Sequence, residues 1–299
     1  MKRHLWLTTL ILATSAASPV ALAQQAAGID IFASDDADNS EVIKFGANFD
    51  FQHASMENYH GIRLETARFS PLGNPTHEDV RAYYRFADGN ASWKWNGMLG
   101  TDGHTWLGNA AIHNESAFRQ EYFVEREIIE TPIGLDQGLH YTLAGSAYDL
   151  PINDRNSMTA MVAVQDFTGD NLRLHARGRY IHALKPDWGL TAQLRVRYWH
   201  DSQPREYDYY APGWYAEVLP ALQIRRFRGG WQYLGVVGYG RSKDAESNWR
   251  DARYVELGVT SPARGNWYFK AGAVYSNTPV TTGYTYRYTQ FSLSALRRF

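Results

Sequence analysis

The chain contains no cysteine among its 299 residues. That absence excludes a disulfide framework and thiolate chemistry together. There is no excess of positive charge either: 30 Lys and Arg stand against 31 Asp and Glu, a formal balance of −1. Such a chain carries no electrostatic footprint for nucleic acid. Beyond residue 23 no apolar run approaches the ~18 residues of a membrane helix, and the mean hydropathy is −0.46. A helical membrane protein is thereby ruled out. A barrel is not, because a polar lumen dilutes its apolar face. The sequence also lacks a Gly-x-Ser-x-Gly elbow and a His-Glu-x-x-His pair, the signatures of two hydrolase classes.

What is present is alternation. In 172–184, Leu172, Leu174, Ala176, Gly178 and Tyr180 alternate with Arg173, His175, Arg177 and Arg179. In 188–200, Ala192, Leu194, Val196 and Tyr198 alternate with Gln193, Arg195 and Arg197. A period of two means β-strands, and Lys185-Pro186-Asp187 between them signals a tight turn. Each arm exceeds the ~5–6 residues of a soluble strand and matches the ~9–11 that cross a bilayer at a tilt. Arginine at every second position requires a wet face. An exposed soluble sheet is the competing reading.

The same pattern predicts sixteen strands: 28–34, 41–53, 59–70, 77–88, 91–101, 104–114, 118–127, 139–149, 156–165, 172–184, 188–200, 214–227, 230–242, 249–260, 266–276 and 284–299. About 276 mature residues at roughly 17 per strand and connection give the same number, and even counts are the bacterial rule. No linker or composition shift divides the chain. The predicted fold class is therefore all-β, a transmembrane antiparallel β-barrel of about 16 strands occupying 24–299 as one domain. Only 128–138 has room for a short helical turn. The longer breaks (35–40, 71–76, 130–138, 201–211, 243–248, 278–283) fall mostly on one side if the first strand runs outward. Aromatics, at 14% with 20 Tyr and 10 Trp, suit two interfacial girdles.

Residues 1–23 read as a secretory signal peptide. Lys2 and Arg3 are basic, Leu5 to Ala17 is mostly apolar, and Ala21-Leu22-Ala23 is a small-x-small cleavage site before Gln24. An uncleaved anchor is the alternative. Removal of 1–23 takes the balance to about −3. At the other end, Phe291, Leu293, Ala295 and Phe299 share a face. A terminal strand ending in Phe resembles the signal that outer-membrane barrels present to the barrel-assembly machinery. Arg297 departs from that pattern, two residues before the end.

Three further stretches occur in order: Val124-Glu125-Arg126-Glu127 with Glu130-Thr131-Pro132, then Asp166-Phe167-Thr168-Gly169-Asp170-Asn171-Leu172-Arg173, then Tyr209-Tyr210-Ala211-Pro212. As a set they resemble the C-terminal porin domain of exopolysaccharide-export proteins of the poly-N-acetylglucosamine and cellulose type. The likeness covers about 120–290 well and the earlier part loosely. It implies a sixteen-stranded outer-membrane barrel, surrounded by lipid and conducting a polysaccharide chain. The family places a long periplasmic helical-repeat region before its barrel, whereas only 24–27 precede the first strand here. Any helical-repeat partner is therefore expected to be a separate periplasmic polypeptide.

The candidate site is the lumen. Arg173, Arg177, Arg179, Arg195 and Arg197 face one way on neighbouring strands, and Glu121, Glu125 and Glu127 alternate on another. Glu217, Tyr254, Glu256, Tyr268 and Lys270 join them if their strands keep phase. Such a surface offers a sugar chain many weak polar contacts and permits movement. The alternative is that these charges only pair across a wet interior and stiffen the barrel. No metal or other cofactor is expected: the acidic run Asp35 to Ser40 lacks the sixth-position glycine of a calcium loop and reads as a solvated turn. Asp102-Gly103-His104 and His200-Asp201 set acid beside base and keep an outer-membrane hydrolase in view. A general diffusion porin for small solutes is the other alternative to polysaccharide export.

Overall fold

The computed structural model describes residues 24–36, 40–279 and 287–299. The expected signal peptide, the centre of the acidic run and the start of the last expected strand lie outside the described residues.

The strands are β1 (Ala26–Asp36), β2 (Glu41–Ser55), β3 (Asn58–Ser70), β4 (His77–Gly89), β5 (Trp93–Thr101), β6 (Trp106–Asn114), β7 (Arg119–Ile128) and β8 (His140–Asn153). They continue as β9 (Asn156–Phe167), β10 (Leu172–Lys185), β11 (Leu190–Asp201), β12 (Trp214–Arg228), β13 (Trp231–Asp244), β14 (Arg250–Thr260), β15 (Trp267–Ser276) and β16 (Tyr288–Arg298). One short helix, α1 (Pro132–Gln137), interrupts the β7–β8 connection. Each strand pairs antiparallel with its neighbours in sequence, and β1 pairs with β16 to close the barrel. Closure leaves no strand edge unpaired, as a bilayer demands. The sixteen expected strands are therefore all present, with ends shifted by a few residues.

Alternation decides which residues meet lipid. On β10 and β11, Leu172, Leu174, Tyr180, Leu194, Val196 and Tyr198 are exposed on the outside, while Arg173, His175 and Gln193 are buried within. On β2, Ile43, Phe45, Phe49 and Phe51 point out, and Val42, Asn48 and Asp50 point in. An exposed apolar band this extensive is stable only against acyl chains. Aromatics mark its two borders. Trp106 and Trp249 are exposed at one rim; Trp188, Phe227, Trp267 and Phe299 are exposed at the other. The fold defines an outer-membrane β-barrel.

The two rims differ. The start of β1 and the end of β16 lie on one, joined by mutual backbone bonds between Gln25 and Phe299 of 3.1 and 2.9 Å. The short connections lie there too, such as Gly229-Gly230, whose φ values of 58° and 81° make a tight hairpin turn. The connections 129–139 and 202–213 belong to the opposite rim. The expected asymmetry is present. Arg297 also finds its reason: it points outward at the terminal rim, with its guanidinium 5.6 Å from the ring of Trp267, its partner in register on β15.

Candidate functional site

The lumen is built from side chains of opposite character. On β1–β7 its charges are paired. Arg63 bridges Asp30 and Glu65, and Arg81, fully buried, reaches Asp79 at 3.4 Å, Glu127 at 3.0 Å and Glu65 at 3.6 Å. Lys44 binds Glu130 at 2.6 Å and lies 5.7 Å from the rings of both Phe32 and Phe69. Arg63 and Glu65 alternate with Ile62 and Leu64, so the criterion that picked out the β10 arginines also reaches them.

Two connections of the long-loop rim turn inward over this interior. Helix α1 carries its own sequence signals. Thr131 caps it by accepting from the Gly134 amide at 3.1 Å, Pro132 opens it, and Gly138 ends it in the left-handed region at φ 66°. Leu135 packs from the helix into a buried cluster of Val42, Phe69, Tyr83, Leu107 and Ile128 on the arc of strands from β2 to β7. The connection 202–213 supplies Tyr209 and Ala211 to a second cluster with Ile129, Leu139, Tyr141 and Phe167. The two connections are tied together by Asp208. Its carboxylate accepts from the Thr131 hydroxyl at 2.6 Å and from the Ile133 amide at 2.7 Å. A carboxylate at the first turn of a helix satisfies an otherwise unpaired donor.

The three sequence stretches singled out above converge on this junction. Phe167 stacks on Tyr209 with centroids 4.4 Å apart and an angle of 7°. Gly169, at φ 111°, sits against the Glu206 carboxylate, where any Cβ would collide. That carboxylate accepts from the amides of Asp170 and Asn171. Asn171 donates to Asp201 at 3.0 Å and to the Tyr209 hydroxyl at 3.1 Å. Arg173 binds Asp201 at 2.7 Å and the carbonyl of Tyr210. Desolvation beneath the connection, reinforced by Glu206, raises the pKa of Tyr209 and keeps its phenol protonated. Glu206 and Asp208 carried no signal in the sequence, since they belong to a stretch without periodicity.

The predicted site residues separate into groups. Arg177, Arg179, Arg195, Arg197, Glu217, Tyr254 and Glu256 line one cavity of about 480 Å³ between β8 and β15. Glu125 and Glu127 line a second, near Lys44, Tyr83 and Tyr141, whose hydroxyl donates to Glu125 at 2.5 Å. Tyr268 and Lys270 border a third, with Asp30, Asn48 and Arg63. Glu121 lies apart toward the terminal rim and pairs with Arg119 at 3.0 Å. Arg173 lies apart as well: it is 2% exposed and held beneath the 202–213 connection by Asp201, so it serves the junction rather than the cavity of the other four arginines.

The acid–base pairs do not form dyads. Asp102 accepts from the backbone amides of His104 and Thr105 at 2.8 Å each. Partial burial would raise its pKa, but those amides outweigh the burial and hold it below the usual carboxylate value. His200 and Asp201 are consecutive on β11 and point to opposite faces, His200 outward and Asp201 into the junction with Arg173. The expected outer loop at 202–210 is exposed only through Ser202–Arg205; from Glu206 onward it folds inward, because Tyr209 has Phe167 to stack on.

No protein-family model and no curated protein matches the chain in sequence. Solved structures do match in fold. A bacterial polysaccharide outer membrane secretin superposes with a TM-score of 0.66 at 13% identity, over 91% of this chain and 98% of that one. OccK5 (OpdH) of Pseudomonas aeruginosa covers 92% of this chain and 98% of its own at a TM-score of 0.43 and 10% identity. OccAB3 of Acinetobacter baumannii gives the same TM-score at 9% identity, over 92% of this chain and 99% of its own.

Proposed function

We propose that this barrel is a passive outer-membrane conduit for export of an exopolysaccharide. The observation that carries the reading is the convergence of the three export-porin-like stretches on one junction, the inward-folded α1 and 202–213 above a polar lumen. Residues that resemble a family's signature and also build one device are better explained by a shared task than by chance likeness. The fold likeness to a structure described as a polysaccharide secretin is consistent with this.

On this reading the lumen side chains act as a series of weak polar stations. Arg177, Arg179, Arg195, Arg197, Glu217, Tyr254 and Glu256 form one station; Glu125 and Glu127 form the next, and Glu121 lies toward the terminal rim. A chain that binds weakly at many points is retained and still advances. A separate periplasmic helical-repeat protein delivers the polymer, and Phe299 is read by the barrel-assembly machinery. Deleting the gene tests the proposal: surface polymer is lost or trapped in the periplasm while uptake of small solutes is unchanged. Persistent surface polymer, or impaired small-solute uptake in its place, rejects export in favour of a diffusion porin.

A further inference from the structure

We infer that the cavity between β8 and β15 is a binding site for carboxylate-bearing sugar units, so that the polymer is an acidic polysaccharide. The inference rests on the export reading and adds the charge of the substrate.

The register places like charges side by side. Arg177 stands directly opposite Arg197, and Arg179 opposite Arg195. Such pairs destabilise a sheet and are retained only where something offsets them. Arg197 has its counter-ion within the protein, since Glu217 takes its guanidinium at 2.7 and 3.0 Å. The other three have no contact of that kind: Glu217 acts on Arg177, and Asp149 and Glu256 on Arg179, only across a gap. Among the described residues, Arg177 and Arg179 form no ion pair, and Arg195 bonds Gln193 at 3.0 Å and lies 5.1 Å from the Tyr254 ring.

This is not a general shortage of acids. Arg63, Arg81, Arg85, Arg173 and Arg250 all face carboxylates within the same lumen. Among the described residues, the four guanidiniums of this cavity meet two lining carboxylates, Glu217 and Glu256, and a third, Asp149 on β8, that acts on Arg179 from outside the lining; Asp149 already accepts from the Thr159 hydroxyl at 2.7 Å and Glu256 from the Tyr254 hydroxyl at 2.8 Å. Arg225 continues the basic track on β12 toward the terminal rim. The walls between the charges suit a sugar. Met161, Leu219 and Tyr254 offer apolar surface, and a volume of about 480 Å³ holds a saccharide unit or two. A planar guanidinium fork matches a carboxylate in bidentate fashion.

The test uses the full mature chain refolded in neutral detergent micelles, with heat-modifiable gel mobility as the check on closure. Hexa-galacturonate, hexa-glucose and hexa-glucosamine are titrated by calorimetry at about 50 mM salt. The uronate binds at least tenfold more tightly than either of the others. Substituting R177Q, R179Q and R195Q together weakens the uronate at least tenfold and leaves hexa-glucose unchanged. If that variant fails the mobility check, Arg179→Gln alone carries the same comparison. Raising salt to about 0.5 M weakens only the uronate. Equal affinity for the uronate and glucose hexamers, or uronate binding that survives the substitutions, overturns the proposal. So does acetate as effective as the uronate at equal carboxylate concentration, which makes the site a filter for small anions. The export reading is tested separately, by the gene deletion.

Discussion

Two arginines four residues apart on β10 show how neighbours decide what a side chain does. Arg173 is enclosed, with Asp201 at 2.7 Å and the rings of Phe167 and Trp199 at 4.9 and 5.4 Å from its guanidinium. Replacing it by alanine leaves Asp201 buried without its cation, which typically costs about 3–5 kcal/mol. Arg177 faces Arg197 across the ladder and forms no ion pair. Its replacement removes a like-charge contact, so stability stays within ~0.5 kcal/mol or rises. Heating each variant for a fixed time in detergent and reading the temperature at which the gel mobility shifts makes the comparison. Arg173→Ala shifts at a clearly lower temperature and Arg177→Ala does not. Equal shifts would remove the distinction between a junction arginine and a cavity arginine.

Among the elements, α1 and the 202–213 connection form a unit, tied to each other through Asp208 and the tyrosine cluster. Losing a helix cap costs about 1 kcal/mol, and unpairing a buried donor costs about 1–3 kcal/mol. Asp208→Ala therefore loosens the junction without touching the ladder. In planar bilayers its open events become more frequent or larger than those of the unmodified protein, while strand circular dichroism is unchanged; identical traces would show that the junction does not obstruct the path. The contrast also explains what the sequence revealed. Strands were legible because each lipid-facing position must be apolar and each lumen position tolerates charge, which imprints period two on every element from β2 to β14. Helix α1 was half legible: the reading of 128–138 as room for a short turn places it, while its ends at Thr131 and Gly138 come from the structure. The lumen phase of Arg177, Arg195, Glu217 and Glu256 followed from the same alternation. Their division into separate cavities did not, because it depends on which carboxylates lie across the barrel. Glu206 and Asp208 were silent for a related reason: the amides they satisfy, at 170, 171 and 133, are distant in sequence and meet them only when the barrel closes.

For the whole molecule the expected orientation puts the rim of α1 and 202–213 on the outside of the cell. Barrels of this class keep short turns on the periplasmic side and long connections outside. Here Gly229-Gly230, the other tight turns and the Gln25–Phe299 seam share one rim. Two insertion sites test this. Gln203 and Pro204 are exposed at the long-loop rim, and Ala263, Arg264 and Gly265 are exposed at the terminal rim. An epitope inserted between Gln203 and Pro204 is labelled on intact cells. The same epitope between Arg264 and Gly265 is labelled only after the outer membrane is permeabilised. The reverse pattern would invert the barrel, and would put the inward-folded helix at its periplasmic mouth.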